Sequence, residues 1–196
     1  MDVESFLRDP VSRRTFFRSS GVAFVGGSAV LVAACGDDED EGGTATTGQA
    51  GKADVDILNS ALDLELMAVA AYTAGAPLLK GDALKFGKQF LGHEQEHADA
   101  LTQAIKDLGG TPNRAKPSYD FPELKSQADV VTFAIDLEQT AVAAYIDALP
   151  KFQDPKLRGT AAAIVTNEAE HISVLLGAQG KSSLEQVPDA FVTGEK

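Results

Sequence analysis

Apolar residues recur at helical intervals in four stretches of the chain, and no stretch sustains the period of two that marks a strand. In the first stretch Leu58, Leu62, Val69 and Tyr72 share one face, which predicts a helix from Asp54, its candidate N-cap, to about Ala74. Pro77 and the pair Gly81-Asp82 mark a turn. A second helix is expected from about Asp82 to Leu108 on Phe86, Phe90, His97 and Leu101, stopped by Gly109-Gly110. The Pro-rich stretch Thr111 to Lys125 then separates two halves and is long enough to cross the end or side of a bundle. Ser126 with Asp129 predicts the start of a third helix, carrying Val130, Phe133, Leu137, Ala141 and Tyr145, that ends at Pro150. Asp154-Pro155 offers an N-cap and a first-turn proline to a fourth, running through Ile164, Val165 and Leu175 to Gly177. Beyond Gly180 the chain reads as irregular.

The halves repeat each other. DLELMAVAAY at Asp63 to Tyr72 is matched by DLEQTAVAAY at Asp136 to Tyr145, and HEQEH at His93 to His97 by NEAEH at Asn167 to His171. Glu65 precedes Glu94, and Glu138 precedes Glu168, by nearly the same interval, so a two-helix unit with two glutamates and a Glu-x-x-His occurs twice. These observations predict an all-α four-helix bundle built from two duplicated hairpins with one long crossover.

Each paired glutamate lies on the face that must be buried. Glu65 falls among Leu58, Leu62, Val69 and Tyr72, and Glu138 among Ala134, Ala141 and Tyr145; Glu94 and Glu168 lie one turn after Phe90 and Ile164. Four carboxylates converging on an apolar interior meet desolvation and mutual repulsion, which bound cations relieve. The i, i+3 spacing sets His97 beside Glu94 and His171 beside Glu168, so each motif can offer an oxygen and a nitrogen to one ion. Two motifs imply two ions, and the mixed carboxylate and imidazole donors suit iron or manganese. HEQEH also fits the zinc-protease pattern H-E-x-x-H. The duplication argues against that reading, because Asn167 replaces His93 in the second copy while Glu94 and His97 keep their counterparts. His93 and Asn167 are therefore expected behind the ligands and not among them, with His93 exposed or donating a hydrogen bond to a ligand. Tyr72 and Tyr145 are expected to pack and to hydrogen-bond the ligands, and Glu96 and Glu170 to face solvent.

With 196 residues, 44% of them hydrophobic, the chain suffices for one domain with a real core. The formal net charge of −12, without a basic cluster beyond the N-terminus, argues against a nucleic-acid partner. Cys35 is the only cysteine, which excludes an intrachain disulfide and a thiolate zinc site. It lies in an N-terminal region of a different kind. SRRTFFR, containing Arg13 and Arg14, precedes an apolar run from Gly21 to Ala34 that is too short to span a bilayer, and the whole resembles a twin-arginine export signal. VAAC at Val32 to Cys35 resembles a lipobox. Residues 1–34 are accordingly expected to be a signal peptide read by the twin-arginine export machinery. Residues 35–52 are expected to be a lipidated cysteine and a solvated acidic and Gly/Thr-rich tether, residues 53–180 the bundle, and residues 181–196 a tail. The expected location is the outer face of the cytoplasmic membrane, held to lipid through Cys35.

From about Asp54 to Gly177 the chain resembles the ferritin-like superfamily, and in particular bacterial ferritin-like domain proteins exported with a twin-arginine signal. The resemblance implies Glu65 and Glu138 as terminal ligands, Glu94 and Glu168 as bridges, and His97 and His171 as nitrogen ligands of a di-iron or di-manganese pair. It further implies an oxidoreductase acting on Fe(II), oxygen or hydrogen peroxide. The alternative is a non-catalytic envelope protein whose metal pair, or vestigial site, only stabilises the bundle. A lipid tether on every subunit is hard to fit to a closed cage, so a membrane-held monomer or homodimer is expected.

Overall fold

A computed structural model describes residues 44–187, and Arg13, Arg14 and Cys35 lie outside them. Among the described residues there are four helices: α1 Thr44–Gly75, α2 Gly81–Asp107, α3 Gln127–Ala148 and α4 Pro155–Ala178. Single 3-10 turns, Ala76–Leu78 and Leu149–Lys151, follow α1 and α3, each with a proline near its start. There is no strand among the described residues. The architecture is the expected four-helix bundle. α1 packs chiefly on α2 and α3 on α4, and α1 lies against α3 to join the two hairpins.

The start of α1 differs from the expectation. The helix begins at Thr44, so part of the segment read as an irregular tether is helical, and Asp54 lies inside the helix instead of capping it. Once a helix is nucleated, adding residues such as Ala, Gln and Lys at its end costs little. Asp54 has a different employment. It is 2% exposed, and its carboxylate accepts the backbone N–H groups of Gln153 (2.8 Å) and Asp154 (2.9 Å) at the mouth of α4. A buried side chain of α1 thus holds the entry to α4, next to Asp154, which accepts from Lys156 N at 2.8 Å as the cap proper.

Other helix ends follow local chemistry. Ser126 Oγ accepts the N–H of Asp129 (3.2 Å), while Asp129 reaches back to accept from Lys125 N (3.0 Å). α2 ends in paired reverse bonds, Gly109 N to Lys106 O at 2.9 Å and Gly110 N to Ile105 O at 2.8 Å, with Gly109 at φ 74°. Gly180, at φ 85°, closes α4 in the same way, and the helix ends at Ala178, one residue beyond the expected Gly177.

The crossover passes along the side of the bundle. Asn59 on α1 donates to Thr111 O (3.2 Å) and accepts from Asn113 N (2.7 Å), while Asn113 Nδ2 donates to Asp63 (3.0 Å). Further along, Phe121 lies against Phe133 of α3 with ring centroids 5.4 Å apart, which covers a small apolar cluster around Ala68, Ala71 and Leu137. The larger cores lie above and below the polar centre, one around Leu58, Leu62, Leu101, Ile105, Phe152 and Ile164, the other around Tyr72, Phe90, Val131, Ile135 and Leu175.

Removing the Asp54 carboxylate leaves two N–H groups at the entry to α4 without their acceptor. Asp54→Ala is expected to lower stability by about 1–3 kcal/mol, read as a fall in the urea midpoint at unchanged slope.

Candidate metal centre

The bundle brings together the six side chains singled out in the sequence. Two groups of potential ligand atoms form, each with all its atoms within 4.8 Å of one another: Glu65, Glu94, His97 and Glu168 in one, Glu94, Glu138, Glu168 and His171 in the other. Glu94 and Glu168 are common to both, the positions expected to bridge. Each helix contributes on its inward face: Glu65 from α1, Glu94 and His97 from α2, Glu138 from α3, Glu168 and His171 from α4. The four glutamates are 0–1% exposed and His171 is 1% exposed. The side chain of His97 keeps 13% of its surface.

Both imidazoles direct Nδ1 into the carboxylates. His97 Nδ1 lies 2.9 Å from Glu168, 3.6 Å from Glu65 and 3.7 Å from Glu94. His171 Nδ1 lies 3.2 Å from Glu168 and 3.3 Å from Glu94 and from Glu138. Despite this proximity, His97 Nδ1, His171 Nδ1, Glu94 Oε1 and both Glu168 oxygens are buried without a hydrogen bond of good geometry. Buried polar atoms rarely lack a partner, and leaving several together is costly. The candidate ligand atoms of each group instead crowd within 4.8 Å of one another, more of them than pairwise hydrogen bonds can satisfy. That donor set, oxygen with imidazole nitrogen and no thiolate, fits two divalent ions of intermediate hardness.

Electrostatics in the metal-free centre follow from the same crowding. Burial, with repulsion from Glu168 and Glu94, pushes Glu65 up to about 8 despite its contact with His97. Burial likewise raises Glu138 well above the usual carboxylate range, with Glu168 and Glu94 adding to it. For Glu94 and Glu168 burial is outweighed by the two histidines, so both fall below their ordinary value. Burial opposes the charged form of the histidines, but the facing carboxylates overcome it and lift His97 to about 12 and His171 to about 11. Glu65 and Glu138 are thus pushed toward the protonated form, Glu94 and Glu168 toward the anion, and both rings toward the cation, so the shifts oppose a build-up of net charge.

The tyrosines cross between the halves. Tyr72, in the first repeat, donates to Glu138 in the second, and Tyr145 donates to Glu65. Burial and the neighbouring carboxylates raise both phenols, which keeps them protonated as donors. His93 is half-buried and its Nδ1 lies 2.9 Å from His171 Nε2, the side of the ring facing away from the carboxylates. Asn167 forms no corresponding contact with His97. Glu96 and Glu170 are exposed, as expected. One neighbour went unnoticed in the sequence: Phe90 stacks on His171 with ring centroids 3.9 Å apart. Its only signal was the mismatch between Phe90 and Ile164, one turn before the paired glutamates.

A family model for the ferritin-like domain matches residues 53–181. The chain belongs to the ferritin-like domain family. Solved structures with the same fold include a conserved hypothetical protein from Mycobacterium tuberculosis (20% identity, TM-score 0.62, covering 65% of this chain and 98% of that one). A ferritin-like diiron-carboxylate protein from Bacillus anthracis matches at 21% identity and TM-score 0.59, covering 66% and 96% of the two chains. The bacterioferritin of Desulfovibrio desulfuricans, which has a diiron site, matches at 19% identity and TM-score 0.63, covering 74% and 88%. No curated protein matches in sequence. Within this ferritin-like bundle, the buried carboxylate and histidine cluster stands where the two hairpins meet.

Because imidazoles must be neutral and carboxylates ionised to ligate, loading two divalent ions at pH 7 is expected to expel about four protons, one each from Glu65, Glu138, His97 and His171. Apparent affinity should therefore weaken steeply as pH falls. Titration in buffers of different ionisation enthalpy measures the proton count, and release of fewer than about two would contradict this protonation pattern.

Proposed function

We propose that Glu65, Glu94, His97, Glu138, Glu168 and His171 hold a carboxylate-bridged pair of iron or manganese ions. The observation carrying the proposal is the convergence of six candidate ligand side chains from all four helices, with buried atoms of Glu94, His97, Glu168 and His171 left without a hydrogen-bond partner. The diiron centres of the similar Bacillus and Desulfovibrio proteins support it by fold. Glu94 and Glu168 belong to both ligand groups and are the bridges, Glu65 and Glu138 the terminal carboxylates. Bound there, the metal pair would supply Lewis acidity and pass electrons from Fe(II), or another reductant, to oxygen or hydrogen peroxide. The protein's part is to keep the pair in a dry, charge-balanced nest and to orient the terminal carboxylates with the Tyr72 and Tyr145 hydroxyls. The part-exposed His97 edge supplies the approach for a small oxidant.

The proposed place of action is the outer face of the cytoplasmic membrane. The order of Arg13-Arg14, an apolar run and Cys35 supports export in folded form followed by lipid attachment. No helix among the described residues is long and apolar enough to cross a membrane.

Anaerobically purified full-length protein is expected to bind about two iron or manganese ions per chain and to consume oxygen or peroxide when reduced. Glu94→Ala, which removes a bridge, should abolish both. Equal turnover by the variant and the wild type would leave the metal with a structural role only. Cys35→Ser should move the protein from the membrane to the soluble fraction, and a variant still sedimenting with membranes would refute the tether.

A further inference from the structure

Among the positions at which the two halves differ, three bear directly on the duplicated centre, and all three act in the same direction. On the Glu138 and His171 side, Phe90 covers the His171 ring face and His93 Nδ1 holds its Nε2 at 2.9 Å. On the Glu65 and His97 side, Ile164 and Asn167 stand at the positions of Phe90 and His93, so no aromatic ring and no imidazole is offered to His97 there. The third change lies behind the tyrosines. Ser60 in the first repeat corresponds to Phe133 in the second. Behind Tyr145, which holds Glu65, a cavity of about 220 Å³ opens between α1 and α3, bordered by Ile57, Ser60, Ala61, Leu64 and Ala144. The equivalent space behind Tyr72, which holds Glu138, is reduced to about 10 Å³ because Phe133 fills it.

We propose that the two metal positions are unequal: the ion held by Glu138 and His171 is retained, and the ion held by Glu65 and His97 exchanges with solution. This rests on the two-ion reading above. An ion leaves only as its ligands rotate away and water takes their place. His171 cannot rotate without breaking its bond to His93 and unstacking from Phe90, and Tyr72 is backed by the Phe133 side chain. His97 is free of both restraints, keeps 13% of its surface, and Tyr145 has room behind it. His93 also fixes the proton pattern. With Nδ1 of His171 given to a metal, Nε2 carries the proton and donates to His93 Nδ1, which strengthens Nδ1 as a ligand. His93 is therefore a positioning residue for one metal position only. The position on the His97 side becomes the place where metal enters, and where Fe(II) would arrive if it is the substrate.

The full chain, loaded anaerobically with Co(II), is challenged with excess chelator and the released metal is followed in time. Two phases of equal amplitude are expected, the slow one at least about tenfold slower, as removal of an outer hydrogen-bond partner typically changes metal affinity by roughly 10–100-fold. Glu138→Gln should remove the slow phase and Glu65→Gln the fast one. His93→Asn, which copies the residue of the other repeat, should bring the slow rate to within a few fold of the fast rate. Where a glutamate variant fails to fold, His93→Asn and Phe90→Ile carry the test, because neither alters a ligand. Two ions leaving together in the wild type, or a slow phase untouched by His93→Asn, overturns the inequality while leaving the pair intact. Binding of less than about one Co(II) per chain overturns the metal centre itself.

Discussion

Four carboxylates buried at the junction of two helical hairpins are the constraint to which the rest of the molecule answers. Each is essentially inaccessible, and none could stay there as an unpaired anion. Histidines, protons and tyrosine hydroxyls share the task in the metal-free protein, and the atoms left without partners belong to the two groups able to hold a metal ion. Apolar clusters on both sides keep water out, so the polar centre separates two cores within one bundle.

Duplication makes this arrangement economical to encode and asymmetry easy to detect. Because each tyrosine reaches into the opposite repeat, neither hairpin completes its own half of the centre. The site is therefore complete only when the two hairpins are docked. The anchors at the periphery serve the same registration: Asp54 ties α1 to the entry of α4, and Asn59 with Asn113 ties α1 to the crossover. Divergence between the repeats then changes one half without disturbing the other, as Ser60 against Phe133 illustrates.

Much of this was legible in the residues. Helical periodicity, the caps at Ser126 and Asp154, and the glycine stop at Gly109 follow from interactions spanning a few residues, which is why the helices α2, α3 and α4 fall close to their expected bounds. The candidate ligand positions were legible because a charge repeated on an apolar face is expensive without a purpose. Asp54 shows the converse. Its sequence neighbourhood suits an N-cap, yet its partners Gln153 and Asp154 are on the far side of the chain, and no local rule points to them.

By itself the sequence determined the all-α class, the two repeats and the six side chains aimed inward, because period and charge placement are properties of each helix alone. Only the tertiary structure decided that Tyr72 bonds Glu138 and not its own Glu65, that His93 and Phe90 clamp His171, and that the space behind Tyr145 stays open while its twin is filled. These depend on how helices from opposite repeats lie against one another. That arrangement is set by the packing of whole faces, which no single stretch of chain specifies.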